Sequence, residues 1–216
     1  AEAATSEKDL ASAQEARRLA QRAKQAAPAL AELDQHAIDR IIDAMADATR
    51  PRAEEFARLA VEETGFGVVA DKIQKNLFSS ERVYEFIRPM RTVGVVRRDE
   101  ERKVVEIAEP FGVVAAIVPS TNPTSTAIYK ILISLKARCP VVLSPHPSAA
   151  RCITRVAEVM AEAAAGAGAP DGSINWMQTV TLEGTQELMK HRDTAVILAT
   201  GGMGLVRAAY SAGKPA

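Results

Sequence analysis

Four short apolar runs limit most strongly what this chain can fold into: residues 112–118, 140–144, 173–177 and 194–199. Helix-period patterns separate them, at about 124–137, 148–165 and 182–191. Strands that are apolar throughout need cover on both faces, and a helix after each one supplies it. The alternation therefore predicts an α/β fold with a parallel sheet and helices on both faces. Sheets of this kind place ligands at the carboxyl ends of their strands, so the chemistry is to be sought there.

Upstream, the first ninety residues read as helices. Residues 7–27 are rich in Ala, Glu, Gln, Arg and Lys, and Ala26-Ala27-Pro28 predicts a stop. Asp34 suits the N-cap of a second helix that places Ile38, Ile41, Ile42, Met45 and Ala46 on one face. A third, from about Pro51, carries Phe56, Leu59, Ala60 and Val61 and ends near Gly65, a residue suited to a left-handed cap. A fourth runs from about Ala70 to Ile87, before Pro89. The period then shortens: residues 92–97 and 103–107 are β-branched runs joined by Asp99-Glu100-Glu101-Arg102, which predicts a hairpin.

The 27 basic and 27 acidic side chains balance, which argues against nucleic acid or an anionic membrane as partner. Cys139 and Cys152 both lie in or beside apolar, regularly patterned segments, as free thiols of a reducing compartment do. No apolar run approaches the roughly 20 residues that span a bilayer, and the amino terminus lacks the pattern of a secretory signal. The expectation is a cytoplasmic protein.

Three strand ends carry small polar chemistry. Thr200-Gly201-Gly202-Met203-Gly204 runs from a strand into a helix, where free backbone N–H groups and the helix dipole can meet a pyrophosphate. An ordinary strand-to-helix turn fits the same residues. In Ser144-Pro145-His146-Pro147 two prolines hold Ser144 and His146 in a fixed geometry. Contact with the adenosine part of a nucleotide and a plain loop with Ser148 capping the next helix both remain open. In Pro119-Ser120-Thr121-Asn122-Pro123, Asn122 suits the N-cap of a helix that starts at Pro123. It equally suits an amide donor that stabilises an oxyanion formed by attack on a carbonyl.

Taken in order, these segments closely resemble the CoA-acylating branch of the aldehyde dehydrogenase superfamily. The resemblance rests on Glu109-Pro110-Phe111-Gly112-Val113-Val114, residues 117–126, Ser144-Pro145-His146-Pro147, residues 197–202 and Ser211-Ala212-Gly213-Lys214-Pro215, with Asp71-Lys72-Ile73-Gln74-Lys75-Asn76 ahead of the hairpin. It implies a helical segment (1–90), a β-hairpin oligomerisation arm (91–108) and a Rossmann-like NAD(P)-binding domain (109–216), with a homodimer or homotetramer as the assembly.

It also implies a reaction. A cysteine thiolate attacks a small aldehyde, hydride passes to NAD or NADP, and coenzyme A takes up the thioester. Asn122 would be the side-chain donor of the oxyanion hole. Ser144, His146 and Pro147 would lie along the adenosine ribose, Thr200, Gly201, Gly202 and Met203 would meet the pyrophosphate, and Ser120 and Thr121 would border the cofactor. The family's nucleophile lies downstream of the segment matched by residues 211–216, so neither Cys139 nor Cys152 takes that part. The chain resembles the amino-terminal half of such an enzyme, expected to be inactive alone. A nucleotide-binding or assembly module without catalysis, and a non-acylating aldehyde dehydrogenase, are the rival readings. No acidic partner for a ribose 2′-hydroxyl stands out, and Arg151 is the basic residue nearest the Ser144–Pro147 loop, so NAD and NADP are both open.

Overall fold

The structure, a computed structural model, describes residues 6–216; residues 1–5 of the expected helical segment lie outside the described residues. Helix α1 spans Glu7–Ala31 and starts in a capping box, with the Asp9 N–H donating to Ser6 Oγ at 3.1 Å and the Ser6 N–H donating to the Asp9 carboxylate at 3.2 Å. The stop expected at Pro28 does not occur. A proline so near the end removes one hydrogen bond, while the added turn buries Leu30 completely, an effect of about 1.5–3 kcal/mol.

Helix α2 (Gln35–Thr49) is capped by Asp34, whose carboxylate accepts from the Ala37 N–H at 2.7 Å, and its five predicted apolar residues are buried. A 3-10 turn at Arg50–Arg52 leads into α3 (Ala53–Thr64), which ends at Gly65 with φ 69°. The fourth helix is interrupted: α4 (Val69–Leu77) passes through a π-helical turn at Phe78–Val83 into α5 (Tyr84–Ile87). The inserted turn rotates the helix, and Ser79 and Ser80 become buried within it.

Strands β1 (Gly94–Asp99) and β2 (Val104–Ala108) form the predicted antiparallel hairpin, with an irregularity between Val95 and Arg97. The main sheet has four parallel strands: β3 (Val113–Val118), β4 (Val141–Pro145), β5 (Ile174–Trp176) and β6 (Thr194–Ala199), in the spatial order β5-β4-β3-β6. Helices α6 (Pro123–Lys136) and α7 (Ala150–Gly166) carry the chain from β3 outward to β5. Helix α8 (Leu182–Lys190) brings it back across β3 to β6, and α9 (Met203–Tyr210) follows.

The pleat sorts the sheet into two cores. Val114, Ala116, Val118, Val141 and Leu143 pack beneath α2, α6 and α7. Val113, Ala115, Ile117 and Val142 pack beneath α1 and α8. Strand order reverses between β3 and β6, so the connections leaving those two strands diverge and open a crevice at their carboxyl ends.

Candidate functional site

That crevice holds a cleft of about 590 Å³. Ser120 and Thr121 line it from the end of β3, His146 and Pro147 from the end of β4, and Thr200, Gly201 and Gly202 from the end of β6. Val180, Leu182 and Leu205 give it an apolar side. An apolar slot with polar groups at one end suits a flat ring attached to charged or hydroxylated groups.

At β6 the chain enters α9 through Gly202, and no side chain caps the helix. The Leu205 and Val206 N–H groups donate back to the Gly202 carbonyl, while the first turn of α9 keeps its helix dipole aimed out of the fold beside the cleft. At β4 the imidazole is fixed by its neighbour: the Ser148 N–H donates to His146 Nδ1 at 3.2 Å. Nδ1 is therefore the unprotonated nitrogen, and Nε2–H is the donor left to a ligand. Ser148 thus serves His146 rather than capping α7. Glu63 does the capping, accepting from the Arg151 N–H at 2.8 Å and the Cys152 N–H at 2.7 Å.

Three of the expected site residues stand elsewhere. Ser144 is fully buried and donates to Thr185 Oγ1 at 2.8 Å, since the Thr185 hydroxyl hydrogen is already used on the Thr181 carbonyl. It supports the loop from behind and does not line the cleft. Met203 is exposed at the start of α9, outside the lining. Asn122 occupies the N-cap position of α6, yet its side chain makes no capping bond. Its Oδ1 accepts instead from Lys75 Nζ at 2.9 Å.

The cleft rests on lysines that residue patterns alone did not single out. Lys72, buried, donates to the Thr121 carbonyl at 2.8 Å, and Thr124 Oγ1 donates to Asn76 Oδ1 at 2.7 Å. Burial and the neighbouring Lys75 ammonium lower the Lys72 pKa. Lys130 is buried and donates to the Ile117 carbonyl at 2.7 Å and the Leu198 carbonyl at 2.6 Å, joining β3 to β6 just below their ends. It is the one charge in the apolar stretch 127–133, a signal that could have marked it.

Burial brings the Lys130 pKa down from 10.5 to about 7. Between those values the unfolded chain holds a proton that the folded chain does not. Stability from this group is thus complete above about pH 10.5 and falls away as pH drops to about 7. Lys130→Met, compared with wild type by urea unfolding from pH 7 to 10, should remove a slope of up to about 1.4 kcal/mol per pH unit. Parallel stability curves would contradict the shift.

Neither cysteine is a nucleophile in this setting. Both are buried; Cys152 Sγ contacts the Ala149 carbonyl at 3.3 Å, and burial together with Glu63 pushes its thiol well up. Among the described residues no cluster of His, Cys, Asp or Glu could hold a metal ion, and no helix is long and apolar enough to cross a membrane.

Residues 2–215 match the model of the aldehyde dehydrogenase family. The chain is 44% identical over 198 residues to the bifunctional aldehyde-alcohol dehydrogenase AdhE of Escherichia coli (strain K12), covering 92% of this chain and 22% of that protein. It is 37% identical over 198 residues to the acetylating succinate-semialdehyde dehydrogenase of Clostridium kluyveri, covering 92% of this chain and 43% of the relative. Among solved structures, an acetylating aldehyde dehydrogenase from Geobacillus thermoglucosidasius superposes with a TM-score of 0.94 at 56% identity, over 96% of this chain and 46% of that one. A propionaldehyde dehydrogenase from Rhodopseudomonas palustris, solved with bound CoA and an acylated cysteine, superposes with a TM-score of 0.82 at 28% identity, over 93% of this chain and 45% of that one. The chain spans less than half the length of these relatives.

Proposed function

Because the chain belongs to the aldehyde dehydrogenase family and its relatives include acylating members, we propose that it supplies the nucleotide-binding half of an enzyme that oxidises a small aldehyde to its acyl-CoA with NAD or NADP. The carrying observation is the cleft at the strand-order reversal, where Ser120, Thr121, His146, Pro147, Thr200, Gly201 and Gly202 converge. The residues fit a dinucleotide. A Cβ built on Gly202 meets no atom within 4 Å, so a phosphate can approach that backbone, and the α9 dipole favours its charge. His146 Nε2–H and the rigid Pro147 border the place for a ribose, and the apolar wall of Val180 and Leu182 is suited to an adenine ring.

A nicotinamide nucleotide held by Thr200, Gly201, Gly202, His146 and Pro147 would supply the hydride acceptor for the oxidation. The chain's own contribution is to place it and to stabilise charge on the carbonyl oxygen. Asn122, at the rim beside Thr121, is a neutral amide held on rigid structure, and its Nδ2 donates to no partner among the described residues. The thiolate and the coenzyme A pocket belong to residues outside this chain on this reading, which accords with the buried, unreactive setting of both cysteines. On the hairpin, Val105 and Ile107 are exposed on one face of β2 and Val104 on the other, and we assign them to packing against a second copy of the chain in a homodimer or homotetramer. Calorimetric titration of the chain with NAD and with NADP tests the reading: one saturable site for at least one of them is expected. Heats no greater than dilution for both, on a folded chain, would overturn it.

A further inference from the structure

Helix α4 stands beside the loop from Ser120 to Asn122, reaching it with Lys72 and Lys75 and reaching the first turn of α6 with Asn76. Lys72, Lys75 and Asn76 share a face at i, i+3 and i+4 spacing. Lys72 holds the Thr121 carbonyl at 2.8 Å, Lys75 holds Asn122 Oδ1 at 2.9 Å, and Asn76, itself anchored on the Ala53 carbonyl at 2.9 Å, receives the Thr124 hydroxyl at 2.7 Å. Backbone, side chain and following helix turn are thus each fixed by a separate bond.

The middle bond decides an orientation. An ammonium can only donate, so the atom of the Asn122 amide facing Lys75 must be the oxygen, and Nδ2 lies on the opposite edge. The amide is also not spent on capping α6. The Lys75 ammonium donating to Oδ1 at the exposed edge of the loop draws electron density from the amide nitrogen and strengthens its N–H groups as donors. The arrangement has a cost, because Lys72 is buried and Lys75 adds a second positive charge beside it. Gly67, at φ 75°, leaves room for the Lys72 side chain: a Cβ there would lie 3.3 Å from Lys72 Cε.

We propose that Lys75 is a positioning residue for aldehyde oxidation, orienting and polarising the Asn122 amide so that Nδ2 is its reactive edge, while Lys72 fixes the backbone on which Asn122 stands. The proposal rests on the oxyanion role read for Asn122. Lys75 does not line the cleft, and it acts through Asn122.

The test uses a hybrid in which this chain replaces the matching 46% of the Geobacillus acetylating enzyme, together with the chain alone. In the hybrid, Lys75→Met should lower kcat about 10- to 100-fold with KM for aldehyde and nucleotide near wild type, because the lost interaction is felt mainly in the transition state. Lys75→Arg, which still donates, should restore most of that loss. Lys75→Met combined with Asn122→Ala should be no slower than Asn122→Ala alone. In the chain alone, Lys75→Met should move the side-chain amide resonances of Asn122 with an unchanged melting temperature. If Asn122→Ala is slow and Lys75→Met is not, the positioning role falls while the oxyanion reading stands. If Asn122→Ala has wild-type kcat, both fall. Unmoved Asn122 amide resonances overturn the positioning role whatever the kinetics.

Discussion

Gly202→Val is expected to fold like the wild-type chain and to bind NAD or NADP about 100-fold more weakly. Gly202 sits at φ −70° and ψ 167°, an extended conformation open to any residue, and a Cβ there meets no atom within 4 Å. The substitution therefore costs the fold little. It places a branched side chain where Gly202 lines the cleft, at the entrance to α9, and holds a phosphate away from the backbone. Losing two charge-assisted hydrogen bonds of about 1.5 kcal/mol each gives the expected factor. Gly201 makes a poorer probe, because a Cβ there would lie 2.6 Å from Leu205 Cδ2 and disturb packing as well as binding. Calorimetry of Gly202→Val beside its melting curve separates the roles: intact folding with wild-type affinity would reduce the glycine loop to a turn.

The second large effect is on the chemistry. Asn122→Ala in the hybrid enzyme should lower kcat about 10²- to 10³-fold, the size found when one oxyanion donor is removed. Nucleotide affinity should stay near wild type, since Asn122 stands at the rim and does not line the cleft. Stability should change little, because the side chain does not cap α6. A fall in Tm with a proportionate loss of all activities would instead mark Asn122 as a helix residue.

Much of the architecture is legible in the residues because the four parallel strands are short, largely apolar runs, and β3, β4 and β6 give way to proline, serine, threonine or glycine. The strand over residues 194–199 is found as read, and the other three within one residue at either end. Helix α1 outruns its expected stop because local propensity at Pro28 is weighed against burial of Leu30, which no local pattern shows. The π-helical turn at Phe78–Val83 is hidden for a related reason: an inserted residue shifts the apolar phase without ending it.

The site was legible in part. Proline, glycine and hydroxyl residues mark the strand ends, so the cleft lining could be named, but which side of a strand is open could not. Ser144 shares its face with Val142, beneath α8, and so meets Thr185 instead of the cleft. The lysine supports were out of reach of local patterns, since Lys72 and Lys75 meet the loop across 49 and 47 residues of chain. Only the ordered resemblance drew in Asp71–Asn76, and it assigned that segment no role.

The most direct test of the whole account is the time course of NADH or NADPH formation when the hybrid enzyme meets acetaldehyde, with and without coenzyme A. A cysteine thioester released only by coenzyme A predicts at most one equivalent of reduced nucleotide per site without it, and continuous formation once it is added. Continuous formation without coenzyme A, or none with it on a folded hybrid, would contradict the account.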